Sequence, residues 1–436
     1  MNMASSTSRP LLLLLLLSTA IFALVLSSQS GFVAPILIPS LHDQNHHTLQ
    51  TQDLEGFFFP IETNLYIQLA IGTPLRTFNL KLDPSTHLTW LECEPCNKCF
   101  LSDSNRRFNG ISSNTFSAVP CNSSAPSPCS PTSTFVHARI DEASFSPFLY
   151  CLASGFCGYD AVSAEDSISS AGNVVSDTLH LFSSISVAHQ DNTLPLHGFV
   201  FGCGTSNTVR RRDNDVGVDG RASLTTHRFS LLSQLRVTRF SHCLWASSVG
   251  PRNYLRFGSA AEYGDRGTAT VAMINVTGSY LFHVSLLGIS VGAQSVMRSG
   301  GTCTMAIEIG TYFTHLETNV YEDVKRELLM QIGPTIAYEV NQLMCFARPD
   351  DVDIESLPKI TLHLGRFDYS ISNKGFYFRD GPSLCAAIVR ASAGGNGEKN
   401  VLGASALVDH AVGYDVSERK ISFRKKDCLV DFVDGM

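Results

Sequence analysis

The sequence predicts an all-β chain of two related lobes facing each other across a central cleft. Three observations lead there. An alternating apolar run, Phe78, Leu80 and Leu82, delivers a single acid, Asp83, into a short polar turn. Far downstream, Met305 and Ile307 alternate into Glu308 in the same way. From these acids onward, D-P-S-T-H-L-T-W and E-I-G-T-Y-F-T-H share one pattern: acid, spacer, small residue, Thr, spacer, apolar residue, Thr, aromatic. A period-2 run is a strand signal, and a small residue followed by Thr marks a tight turn. A strand ending in a lone carboxylate, presented twice, gives each of two lobes one acid. Two carboxylates held close cannot both ionise freely, so one keeps a proton while the other acts as base.

At 436 residues the chain has room for two substantial cores. With 16% charged residues and 27 Phe it is a packed globular sequence rather than a disordered one. A net charge of −7 gives no reason to expect nucleic acid or an anionic membrane as partner. The lone basic triplet at 210–212 reads as a solvated loop.

Residues 1–28 read as a secretory signal: Arg9 precedes the apolar run 11–26, and small Ser residues follow. The run is short for a bilayer span and lacks a charged stop, which favours cleavage over a membrane anchor. Residues 29–62 have no clear period and read as a linker or shortened propeptide. A first lobe over 63–270 and a second over 271–436 complete the expected division.

Thirteen cysteines in a secreted chain imply a disulfide framework. Seven lie between Cys93 and Cys157, marking an insertion stapled by bridges. Cys93, Cys96 and Cys99 have metal-ligand spacing, but no matching Cys/His cluster completes a zinc site, so neither metal nor cofactor is expected. An odd count leaves one thiol over. Cys303 is the choice, inside the strand leading to Glu308, where a free thiol packs as a small hydrophobe. Cys345 and Cys385 are expected to bridge around a strand pair at 360–364 and 375–378.

In chain order, NLYIQLAIGTP from Asn64 shows strand alternation into a Gly-Thr-Pro turn. Residues 98–147 are rich in Ser, Pro and Asn and read as loop, with a glycan sequon at Asn122 and a second at Asn275. Strand-like runs at 197–201 and 254–257 follow, and 229–235 has helical spacing. YLFHVSLLGISVG from Tyr280 opens the second lobe, 318–329 is a helix, and 412–428 is a hairpin. Trp90 reads as core. His87 and His315 read as turn histidines, with a His–carboxylate pair as the other option.

These motifs, in this order from about Thr63 to Cys428, resemble the pepsin-like aspartic protease family of the plant nepenthesin type, whose motif in each lobe is Asp-Thr/Ser-Gly-Ser/Thr. The resemblance implies the bilobal pepsin-like fold and catalytic acids at Asp83 and Glu308, supported by Thr86, Thr311 and Gly310. It also implies an apolar-apolar-Gly brace behind each acid, matched by Val401-Leu402-Gly403 and, loosely, by Val218-Asp219-Gly220. Departures are concentrated at the catalyst. The first motif has Pro84 for Thr and Ser85 for Gly, and the second has Glu308 for Asp and Ile309 for Ser or Thr. After Cys157 and Tyr159, the family's flap tyrosine falls on Ser163 and its hairpin glycines are replaced through 164–167.

Glu308 adds a methylene and a rotatable bond, while catalytic groups tolerate about half an ångström of misplacement. Pro84 and Ile309 carry no hydroxyl, so the cross-loop bonds that hold the family's acids in plane are gone. The resulting expectation is a secreted monomer of this family, in the apoplast or cell wall or routed to the vacuole. Its endopeptidase activity is impaired or lost, and its cleft binds protein or peptide. Plant relatives with eroded dyads include binding proteins and inhibitors of microbial glycanases. The alternative is an atypical aspartic endopeptidase using Asp83 and Glu308 at acidic pH.

Overall fold

The structure is a computed structural model that describes residues 32–37, 65–83, 86–121, 129, 148–163, 168–182, 193–208, 218–245, 253–264, 267–277, 279–298, 303–333, 337–340, 343–347, 352–380, 383–391 and 400–428. Residues 1–28, read above as a secretory signal, most of 29–62, Pro84, Ser85, the Asn122 sequon, the positions 164–167 read as flap and the basic triplet lie outside the described residues.

The first acid strand, Arg76–Leu82, turns Phe78, Leu80 and Leu82 into the core, as the alternation requires. It pairs antiparallel with Tyr66–Ile71 through the turn at Gly72, whose φ of 96° a side chain would strain. Its other edge pairs in parallel with Gly220–Ala222, which in turn meets Trp90–Glu94. The second lobe repeats the arrangement: Thr304–Ile307 pairs in parallel with Val401–Leu402, which meets Thr314–Leu316. Each lobe is thus built on an acid strand, a brace strand and a return strand. The helix Thr318–Ile332 follows the second return strand and buries Val320, Tyr321, Val324 and Leu328.

Three sheets hold the described strands. The largest runs from the acid strand of the first lobe, through Tyr66–Ile71, Phe32–Leu37, Asn253–Phe257 and Arg239–Cys243, to His410–Asp415 and Lys420–Lys425 at the far end of the chain. It therefore crosses the expected 270/271 division, and the C-terminal hairpin of the sequence reading serves to join the lobes. Phe32–Leu37, in the span read as linker or propeptide, lies between Asn253–Phe257 and Tyr66–Ile71. Its Pro35 masked the strand signal, because proline within a run argues against a strand.

Six disulfides are formed: Cys93–Cys203, Cys96–Cys99, Cys121–Cys151, Cys129–Cys157, Cys243–Cys428 and Cys345–Cys385. Such a set forms and persists in an oxidising compartment. Cys303 is the free cysteine, half-buried, with its sulfur 3.3 Å from Asn400 Nδ2. Cys345 and Cys385 face each other across the paired strands Leu343–Ala347 and Ser383–Ala386. The strand pair expected between them does not exist: Ile360–Leu364 and Tyr377–Asp380 belong to different sheets. Among the described residues, the clusters with metal-ligand spacing, Cys121/Cys129/Cys157 and Glu92/Cys96/Cys99, consist mostly of disulfide sulfurs. A sulfur in a disulfide is no thiolate ligand.

Behind the first acid turn, Trp90 packs in a small core with Leu88, Tyr159, Val174 and Phe229. Two residues on, the fully buried Glu92 carboxylate accepts from the amides of Phe100 and Leu101 at 2.9 and 3.1 Å, Arg107 Nε at 3.0 Å and Asn207 Nδ2 at 3.1 Å. Four donors satisfy a charge that burial alone would not permit. They tie the bridged insertion to the return strand.

Candidate active site

Asp83 and Glu308 come from opposite lobes and line one cavity of about 380 Å³, counting the space open to solvent. Each is only 5% exposed. Their backbones are placed alike: the Asp83 amide donates to the Ala222 carbonyl and the Glu308 amide to the Leu402 carbonyl, both at 3.0 Å. Ile309 and Gly310 border the second acid in the cavity, and Phe240, Phe282 and Tyr414 form an aromatic wall. Phe240 and Tyr414 stack with centroids 4.2 Å apart and planes 4° apart.

The brace of the first lobe is not Val218-Asp219-Gly220. The pairing Leu82↔Ala222, matched to Ile307↔Leu402, moves it three residues on, to Arg221-Ala222-Ser223. The apolar-apolar-Gly pattern misled because Gly220 is required for another reason: a Cβ there would lie 2.0 Å from the Trp90 carbonyl oxygen. Asp219 is instead a structural anchor, accepting from the Asn79 amide at 2.7 Å and pairing with Arg106 at 2.6 Å. Arg221, 2% exposed, stands where the second lobe has Val401. Ser223 stands where it has Gly403, whose Cβ would meet the Phe313 carbonyl oxygen at 2.3 Å.

The two supporting threonines behave differently. Thr311 donates its hydroxyl to Glu308 Oε1. Thr86 donates its own to the Leu88 carbonyl at 2.9 Å. A hydroxyl has one proton to give, so Thr86 gives its own to a backbone carbonyl rather than to Asp83. The later threonines of the repeated pattern, to which the sequence reading gave no role, hold the braces: Thr89 Oγ1 accepts from the Ser223 amide at 3.2 Å and Thr314 Oγ1 from the Gly403 amide at 3.3 Å. Their recurrence six residues after each acid was the signal that could have found them.

Among the described residues His87 has no carboxylate partner, and it is not a fully solvated turn residue. It is half-buried and stacked on His227, with centroids 5.1 Å apart. Burial, then the neighbouring His227, lowers its pKa to about 4. His315, half-buried opposite Val401, is also held below the ordinary histidine value by burial.

Two family models cover most of the chain: Xylanase inhibitor N-terminal over residues 65–259 and Xylanase inhibitor C-terminal over 281–425. Aspartic proteinase nepenthesin-1 of Nepenthes gracilis is 26% identical over 389 residues, 84% of this chain and 80% of its own. Nepenthesin-2 of the same plant is 27% identical, covering 72% and 68%. Conglutin gamma, a basic 7S globulin from lupine seeds, matches in structure with a TM-score of 0.65 at 17% identity, covering 92% of this chain and 98% of its own. Basic 7S globulin from soybean matches with a TM-score of 0.65 at 16% identity, over 92% and 95%. With an acid–brace–return unit in each lobe and both acids on one cavity, the chain belongs to the pepsin-like aspartic protease family, in the branch of the xylanase-inhibitor domains and the nepenthesins.

Proposed function

We propose that this cleft binds a protein or peptide and does not hydrolyse it efficiently. The observation that carries the reading is the unequal wiring of the two turns: Thr311 bonds the Glu308 carboxylate, whereas Thr86 is committed to the Leu88 carbonyl. Peptide hydrolysis by paired acids needs a water held between two carboxyls of fixed, matched geometry. Here one acid is longer by a methylene, Pro84 and Ile309 offer no hydroxyl to lock either acid, and Ile309 brings an apolar side chain to the cavity. Parts that act as a unit lose most of their effect when several are missing.

The occupant in this reading is a protein, in keeping with the xylanase-inhibitor name of both domain models, and a secreted glycanase is the natural class. The protein acts as a secreted monomer in the apoplast, cell wall or vacuole, supported by its six disulfides. A second reading, an atypical endopeptidase using Asp83 and Glu308 in acid, draws support from the placement of both acids on one cavity.

The test is digestion of denatured globin by the purified mature chain from pH 2.5 to 6, with and without pepstatin, beside Asp83→Ala. The binding reading expects no pepstatin-sensitive cleavage at any pH. Pepstatin-sensitive cleavage that disappears in the variant establishes the second reading.

A further inference from the structure

Beside the cavity, three rings join the lobes. His87, in the loop that carries Asp83, stacks on His227 with planes 24° apart. Tyr280, in the chain entering the second lobe, meets both rings edge-on, at 4.6 Å from His87 and 5.1 Å from His227. Hydrogen bonds fix the same contact: the Thr226 amide and hydroxyl both donate to the Tyr280 carbonyl at 3.0 Å, and His227 Nδ1 lies 3.1 Å from the His87 carbonyl. Leu224 and Leu281, close in sequence to these residues, line the cavity itself. The chemistry of the acid pair does not call for any of these groups.

The charge environment of the cluster is one-sided. Among the described residues neither imidazole forms an ion pair with a carboxylate, and the Coulombic influence on His87 is that of His227. A charged group acting on His227 is Arg228, whose guanidinium lies 4.5 Å from the Phe229 ring centre, and Phe229 packs against His227. Tyr280 is the other titratable group in contact. Two neutral imidazoles stack favourably, whereas two imidazoliums about 5 Å apart repel with no counter-charge between them. Burial lowers the pKa of both, that of His87 from 6.5 to about 4.

We propose that His87, His227 and Tyr280 form a pH-released clasp between the lobes, closed while both imidazoles are neutral and opened when protons enter the stack. The closed state is fully stabilised above pH 6.5 and loses that stabilisation as pH falls towards 4, because the open state binds protons the closed state excludes. Opening frees the Tyr280 segment from the first lobe and widens access to the cavity. The clasp rests on this geometry alone and holds whether or not the cleft cuts peptide bonds.

Hydrogen–deuterium exchange of the full chain at pH 7.5, 6.0 and 4.5, corrected for intrinsic exchange, tests it on peptides spanning 224–230 and 279–284. In the wild type the clasp peptides lose at least about tenfold in protection between pH 7.5 and 4.5, while 401–407 in the second brace does not. The double variant H87F/H227F keeps both rings without the protons and shows no such pH dependence, and Y280A is unprotected at both extremes. Unchanged wild-type protection, an equal loss across the whole chain, or the same loss in a folded H87F/H227F overturns the proposal. Should the double variant not fold, the wild-type comparison between 224–230 and 401–407 decides alone.

Discussion

Thr311 donates its hydroxyl to the Glu308 carboxylate from within the same turn. The equivalent threonine beside Asp83 serves a backbone carbonyl instead. Two turns alike in sequence pattern therefore use their threonine hydroxyls differently, one on its acid and one on a backbone carbonyl.

Restoring one component should accomplish little. Glu308→Asp alone is expected to leave cleavage of a fluorogenic peptide at background, since neither locking hydroxyl returns. The combination P84T/S85G/E308D/I309T rebuilds both motifs and is expected to raise the initial rate at least about tenfold over Glu308→Asp. A gain from the single change equal to that from all four would show that side-chain length was the sole defect.

Glu92 anchors the bridged insertion through four donors at full burial. Glu92→Gln sets an amide N–H₂ among groups that themselves donate. Urea unfolding should record a loss of about 3 kcal/mol. A loss below about 0.5 kcal/mol would mean that the network forms only after the fold is secured elsewhere.

Stability should fall on acidification. Burial lowers the pKa of His242 to about 3 and that of His87 to about 4, and also holds His227, His315 and His410 below the ordinary value. A histidine kept neutral in the fold and free to protonate when unfolded stabilises the fold fully above pH 6.5, and that contribution is lost as pH falls through its folded pKa. Each contributes a slope of roughly 1.4 kcal/mol per pH unit within its window. Asp160, Asp219 and Asp409, raised by burial, act in the opposite sense but nearer pH 4. Urea midpoints should therefore drop between pH 7 and 5, and less steeply in His242→Phe. A midpoint that rises towards pH 4 would contradict this and favour an acid-adapted enzyme.

Asn275 and Thr277 are both exposed, in a turn closed by the Ser279 amide on the Val276 carbonyl at 3.1 Å. An exposed Asn-x-Thr turn in a secreted chain is open to glycosylation. Enzymatic deglycosylation of the plant-expressed protein should shift its mass, and Asn275→Gln should remove that part of the shift. An unchanged mass at this site would show it bare.

Local pattern carried much of the molecule. The alternation at 78–82 and 305–307 placed Asp83 and Glu308 at the ends of paired strands that share one cavity. The repeated turn marked Thr311, which bonds Glu308, and Thr86, which bonds the Leu88 carbonyl instead. Cysteine parity together with strand placement singled out Cys303. What could not be read locally was register. The first brace lies three residues beyond its apparent motif, because Gly220 meets the requirement of close approach to Trp90 rather than the brace's own. Phe32–Leu37 finds its partners at 253–257 and 66–67, a pairing no nearby period announces. His87 looked like a solvated turn residue because its partners, His227 and Tyr280, lie far along the chain.

The central claim, that this cleft has lost efficient proteolysis, is tested most directly by counting new peptide termini. Mass spectrometry of an unfolded protein incubated at pH 3 to 5 compares wild type with Asp83→Ala. Equal rates of terminus formation are the expected result. A wild-type rate about a hundredfold or more above the variant, abolished by pepstatin, would contradict the account.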